Sequence, residues 1–297
     1  MLLIASLDAL QGYAILAVAA LLAGAVNSFA GGGTILTFPI LGAILPDLPG
    51  RLVTANATST IGLWPGAATA AWAYRGERAD LPAWARWLVV PSVAGAVVGT
   101  ALVLVLPPAW FDALVPWLIL LAAVLFAFQP WLAAMGTRRE QFPLHLRDAP
   151  HQTTILPLPL GEGRGAGAPA LPTAPSRIAI ACGLQFLVSV YGGYFGAGIG
   201  ILMLAVLGML GLGDIHRLNG VKNVLGTVVN GVSAAVFALG ALAGWQAVSW
   251  PHAAVMAVAA IIGSLGASHL ARRLPARMVR RGVALIGFAL AAYYFLR

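Results

Sequence analysis

Ten apolar segments follow one another along the chain, near 12–30, 34–45, 52–74, 83–106, 111–135, 178–195, 199–212, 217–240, 247–271 and 276–296. A helix needs about 20 apolar residues to cross a bilayer, and most of these segments have that length. Charge is correspondingly scarce. Seventeen bases and nine acids make up 9% of 297 residues, and hydrophobic residues make up 60%. An ordinary soluble domain is roughly a quarter charged. A chain this poor in polar groups cannot cover itself in water, which sets aside cytosolic enzymes, nucleic-acid binders and disordered proteins. The predicted class is an all-α polytopic membrane protein with 8–10 spans.

One stretch departs from the pattern. Residues 138–177 are rich in Pro, Gly and charge and have no apolar period, so they read as a flexible linker. They separate a first membrane unit, 1–137, from a second, 178–297. The two units share a plan of five segments, and the second segment of each is about a dozen residues long. In each, a glycine cluster precedes that short segment: Gly31-Gly32-Gly33 and Gly196-Ala197-Gly198. Gly33 and Gly198 stand 165 positions apart, as do Gly66 and Gly231, and no gap is needed between. The sequence therefore predicts an internal repeat, with one short or broken helix per copy.

The placement of the bases predicts topology. Arg138, Arg139, Arg147, Arg164 and Arg177 lie in the linker, and Arg272, Arg273, Arg277, Arg280 and Arg281 lie around the loop before the last segment. The positive-inside rule puts both regions in the cytoplasm. Four crossings join two points on one side, so each short segment is expected to complete a crossing. Five crossings per unit is odd, which makes the repeat inverted. The net charge of +8 then records orientation and contact with anionic lipid rather than a nucleic-acid surface. Trp84, Trp87, Trp110, Trp117, Trp131 and Trp250 fall near segment ends, where an aromatic belt belongs. Met1–Leu10 carries Asp8 and no basic region, so it does not read as a signal peptide. The single cysteine, Cys182, excludes an intramolecular disulfide and a cysteine-cluster metal site. No cofactor or metal is predicted.

The stretch Ala25-Val-Asn-Ser-Phe-Ala-Gly-Gly-Gly-Thr34 carries the most chemistry. A helix broken by three glycines restarts with unpaired N–H groups inside the membrane. Such groups must be met by protein, water or ligand, and the positive end of the helix dipole favours an anion. Asn27 and Thr34 add side-chain donors to Gly31, Gly32 and Gly33. The second copy offers Tyr191, Gly196 and Gly198, and the two breaks are expected to meet. Close packing through small residues is the competing reading of one such cluster. Asn56 and Thr58 on the third segment and Asn223 on its counterpart can replace part of an anion's hydration shell. The alternative for each is an interhelical hydrogen bond. Lys222, the single lysine, lies about five residues into its segment and is either a site cation or a residue snorkelling to headgroups. Asp47, Glu77, Asp80, Asp112 and Asp214 fall in loops or at segment ends. Cation coupling through a buried acid is therefore not expected. His252 and His269 read as interfacial or packed. Ser268-His269 are neighbours on one helix and point apart, so no intramembrane protease is read and no enzyme is predicted.

The runs AGAVNSFAGGGTILTFPIL and TANATSTIGLWPGAATAAWAY, with YGGYFGAGIGILMLAVL and NGVKNVLGTVVNGVSAAVFAL in the second unit, resemble the sulfite exporter TauE/SafE family, also called the 4-toluene sulfonate uptake permease family. The resemblance covers both units and leaves out the linker. It implies a multi-pass permease for small sulfur-containing or carboxylate-like anions. The expected function is a permease moving sulfite-, sulfonate- or carboxylate-like anions across the bacterial inner membrane by rocking one repeat against the other. Its expected partners are a small anion and membrane lipid, with no nucleic acid, and a homo-oligomer is left open. The alternative is a membrane accessory subunit without a pathway of its own.

Overall fold

The computed structural model describes residues 2–29, 31–73, 82–137, 175–212, 215–270 and 276–296, and among them it is helical with no strand. The elements are α1 (Leu2–Phe29), α2 (Thr34–Ile44), α3 (Arg51–Ala73), α4 (Val89–Val105, entered through a 3-10 turn over Ala83–Leu88), α5 (Pro108–Thr137), α6 (Pro175–Tyr194), α7 (Ile199–Met209), α8 (Ile215–Leu242), α9 (Trp250–Leu270) and α10 (Ala276–Leu296). Each predicted segment corresponds to one helix. α1 begins ten residues earlier than the apolar pattern indicates, because Leu, Ile and Ala between residues 2 and 10 are good helix formers and no proline stops them. Residues 74–81, 138–174 and 271–275 lie outside the described residues, and with them most of the arginines used to orient the chain.

Six helical stretches are long and apolar enough to span a membrane: Leu10–Ser28, Ala83–Val105, Pro108–Gln129, Ser176–Tyr194, Arg217–Leu242 and Trp250–Ala267. Their outward faces carry exposed Ile15, Val18, Val90, Val97, Leu121, Ile180, Val258 and Ile262. Such an apolar exterior suits hydrocarbon and not water. α3 has span length but is too polar for that set, with Thr54, Asn56, Thr58, Ser59 and Thr60 in its first half. It is accordingly enclosed, packed by α1, α2, α5, α8 and α9. α2 and α7 have 11 residues each, about 16 Å, roughly half a bilayer core.

Glycine sets the helix spacing. A methyl group on Gly24 would overlap the Ala260 carbonyl, one on Gly263 the Leu21 carbonyl, one on Gly99 the Val190 carbonyl and one on Gly193 the Ala96 carbonyl. Backbones in hydrocarbon gain packing energy from such approaches, where no hydrophobic drive separates helix from lipid. These contacts join α1 to α9 and α4 to α6. Both pairs run parallel: Tyr13 stacks on His252 at 4.5 Å and Ser28 meets Ser264 at 3.2 Å, while Ser92 meets Gln185 at 2.9 Å and Thr100 donates to the Gly193 carbonyl at 3.1 Å. α3 and α8 run antiparallel, with Trp64 against Gly231 and Ala67 against Thr227. So do α5 and α10, with Trp117 on Phe295 and Ala123 beside Gly287.

α2 doubles back along α1, so that Gly33 lies against Ala23 and Ile44 comes level with Gly12. The turn between them is sunk inside the bundle. Ser28, at the end of α1, is level with Ser264, and α9 continues six residues to Leu270, about 9 Å further. The α6–α7 turn is sunk equally: Tyr194 lies against Gly99, and α4 continues six residues to Val105.

Candidate functional site

The first turn is closed from upstream. Asn27, on the last turn of α1, accepts hydrogen bonds through Oδ1 from the N–H of Gly32 at 2.8 Å and of Gly33 at 2.7 Å. The residue at the α2 N-cap is Gly33, which has no side chain for the task. The amides predicted to receive an anion thus converge on one oxygen, which Asn27 supplies. Gly32 has φ +109°, a conformation that side-chain-bearing residues avoid.

The second turn is built differently. The position of Asn27 is taken by Gly192, and Tyr191 donates its hydroxyl to the Ala197 carbonyl at 2.6 Å. The Gly196 N–H returns to the Tyr191 carbonyl at 3.2 Å, and Gly198 caps α7 in the left-handed region at φ +75°. The two turns touch. A methyl group on Gly32 would overlap the Gly198 nitrogen, and one on Gly31 would come within 3.1 Å of the Gly200 Cα. The expected meeting of the glycine clusters is found, and it is backbone on backbone.

Beside this contact is a narrow cleft, with room for about one water molecule. Asn27, Gly32 and Thr34 line it from the first hairpin, Thr60, Leu63, Trp64 and Ala67 from α3, Gly196 from the second turn and Asn230 from α8. Its polar side chains are two carboxamides, two hydroxyls and an indole, all neutral and all able to donate. A largely polar cleft of neutral donors can hold an anion's oxygens without a fixed counter-charge, which lets the anion leave as well as enter.

Of the predicted site residues, Asn27, Gly32, Thr34 and Gly196 line the cleft, Gly31, Gly33 and Gly198 form the turns behind it, and Tyr191 braces the second turn. Asn56 is fully buried and donates through Nδ2 to the Tyr194 carbonyl at 3.0 Å, tying α3 to the end of α6, while its Oδ1 has no partner among the described residues. Thr58 accepts the Ser249 N–H at 3.0 Å, just before α9. Lys222 is 3% exposed on α8 and Asn223 is half-buried, and neither belongs to the cleft lining. Leu63, Trp64 and Ala67 were not singled out from the sequence, and Thr60 and Asn230 were not placed in the site. The available signal was spacing: residues 60, 63, 64 and 67 form one stripe of a helix.

A helical bundle with a lipid-facing apolar exterior, two sunken glycine turns and a neutral polar cleft defines a multi-pass membrane protein. The chain belongs to the sulfite exporter TauE/SafE family, whose model matches residues 16–294. It is similar to a probable membrane transporter protein, ORF9, of a Sinorhizobium species, at 26% identity over 283 residues that cover 94% of this chain and 90% of that protein. No solved structure matches it. The protein is a membrane transporter.

Proposed function

We propose that this transporter is a permease for small oxyanions, sulfite-, sulfonate- or carboxylate-like, acting by alternating access in the bacterial inner membrane. The observation that carries the reading is the convergence of the Gly32 and Gly33 amides on a single oxygen inside the bundle, at the edge of the cleft. Two amides that hold the Asn27 carboxamide oxygen can hold an anion oxygen in its place, with the α2 dipole adding to the attraction. Trp64, Asn230, Thr34 and Thr60 would complete the shell. Lys222 lies eight residues before Asn230 on α8, about 12 Å along the axis, and would draw anions toward the cleft from that side. Asn56, Thr58 and Asn223 would act from the surrounding frame. Nothing in this scheme calls for bond chemistry, in keeping with a transporter rather than an enzyme.

The same reading takes 1–137 and 178–297 as inverted repeats joined by a cytoplasmic linker over 138–177. It is supported by equal α2 and α7 lengths, antiparallel α3/α8 and α5/α10, and the matching depth of the two turns. Anion binding is tested by thermal unfolding of the purified protein with sulfite, small sulfonates, carboxylates or chloride. A ligand at 100 times its Kd adds about 2.7 kcal/mol to stability. At least one oxyanion should raise the midpoint, and Trp64→Ala with Asn230→Ala should abolish the rise. A panel with no response, or a response untouched by both substitutions, contradicts the site.

A further inference from the structure

The helices do not pack by sequence half. α1 lies along α9 and α4 lies along α6, and each of these pairs joins one half of the chain to the other. α1 and α3 pack with α9, and α2 packs on α1 and α3; α6 and α8 pack with α4, and α7 packs on α6 and α8. α10 reaches α2, and α5 reaches α7. Two bundles result, each made of the first three helices of one half and the fourth helix of the other.

Inside each bundle, close backbone contacts recur at several levels along the helix pairs; between the bundles, among the described glycines, they are confined to the touching turns, and Asn56 and Thr227 donate across to the Tyr194 and Ala67 carbonyls. Within one bundle, Gly24, Gly263, Gly62 and Gly66 leave no room for a methyl group, and Ser28 meets Ser264. Within the other, Gly95, Gly99 and Gly193 are equally tight, and Gln185 donates to both Ser92 at 2.9 Å and Ser189 at 3.2 Å. Backbone-to-backbone contacts locked by buried hydrogen bonds cannot slide without opening voids or stranding polar groups. α5 and α10 pair with each other outside both bundles, α5 reaching α7 and α10 reaching α2. Between the bundles run α3 against α8 and the touching glycine turns, and the cleft opens there. Its lining comes from both sides, Asn27 and Trp64 from one bundle and Gly196 and Asn230 from the other. Packed elements move as bodies, and the change falls at the interface between them.

We propose that the moving parts of this protein are these two interleaved bundles, α1–α2–α3–α9 and α6–α7–α8–α4, and not the two halves of the sequence. This rests on the permease reading, and it replaces the rocking of repeat against repeat. Opening the α3/α8 seam would expose the cleft to one side and then the other while α1/α9 and α4/α6 stay closed.

Bridged cysteine pairs in a Cys182→Ala background separate the two schemes, because every pair below ties one half of the chain to the other. Ser28→Cys with Ser264→Cys bridges α1 to α9, and Ser92→Cys with Ser189→Cys bridges α4 to α6. Ala67→Cys with Thr227→Cys bridges α3 to α8 across the seam. Each pair is closed with a short bismaleimide, whose thioether bonds sulfite does not cleave, and sulfite flux is compared with the same protein left unbridged. The first two bridges should leave at least half the flux, and the third should remove it tenfold or more. Loss of flux on bridging either of the first two pairs, or survival of flux with the third, overturns the proposal.

Spin-label distances provide a readout that does not depend on activity of the cysteine variants. With added sulfite, a pair at Val18 and Val97, between bundles, should shift. Pairs at Val18 and Ile262, and at Val97 and Leu184, within bundles, should not. Movement within a bundle, or no movement anywhere in a protein that transports sulfite, refutes it. A native chain that moves no anion counts instead against the permease reading.

Discussion

Asn27 carries more of the site than any other side chain, because one carboxamide oxygen satisfies two amides that the glycine turn leaves exposed. Each such bond contributes about 1 kcal/mol net, and a buried amide without a partner costs about 1–3 kcal/mol. Asn27→Ala should therefore lower the thermal midpoint in detergent while sharpening the dependence of stability on added oxyanion, since the ligand then meets free amides. Asn27→Asp places a fixed carboxylate on the same amides. It should keep the fold and abolish oxyanion stabilisation. Equal responses from Ala, Asp and the native residue would show that the turn amides play no part in binding. The sequence marked Asn27 as polar beside a glycine break, but whether it faced the ligand or capped its own turn depended on how the chain reversed. Lys222 illustrates the same point. Its burial agrees with an intramembrane cation, yet linear depth along a segment cannot say which neighbour the side chain faces.

Two classes of glycine can be separated at the level of elements. Gly99 and Gly193 hold α4 against α6, whereas a methyl group on Gly226 of α8 meets nothing within 4 Å. Gly99→Val should destabilise the protein by more than 2 kcal/mol, as overpacking typically costs about 1–3 kcal/mol and here the backbone itself must move. Gly226→Ala should be neutral or stabilising by up to about 1 kcal/mol, since alanine restricts the unfolded chain and fits the helix. Unfolding midpoints of the two variants check this, and the reverse order would mean that the tight helix pair is not a stability element. Most of the helices were legible as apolar runs bounded by glycine, proline or polar residues, including both short ones. Their pairing was not. A fixed offset of 165 between Gly33 and Gly198 signals a repeat, but it carries no information on α1 choosing α9 rather than α5. The cleft stripe of Thr60, Leu63, Trp64 and Ala67 was missed because polar residues were weighed singly, and Trp64 is more readily read as an interfacial anchor.

At the scale of the whole molecule, the account makes every helix a change of direction and the two halves opposite in orientation. Single cysteines within residues 138–174 and beside Arg281 should react with a membrane-impermeant maleimide from the cytoplasmic side only. A cysteine at Leu48, in the α2–α3 connection, should react from the opposite side. Linker and Arg281 on different sides would break the inverted arrangement, since an odd number of crossings would then separate them. The exterior of the bundle gives this orientation its physical basis: apolar faces leave the loops as the place for charge, and Asp47 pairs with Arg51 at 2.9 Å in one of them.

The claim on which all of this turns is that the chain moves a small oxyanion by itself. Purified protein in liposomes, with labelled sulfite, a small sulfonate and a carboxylate offered in turn, tests it most directly. The account predicts saturable flux of at least one of them, reduced tenfold or more by Gly32→Leu, whose side chain has no space against Gly198. Folding of that variant is verified by its retained unfolding transition. Flux of no anion into liposomes holding folded native protein, or flux that Gly32→Leu leaves unchanged, would contradict it.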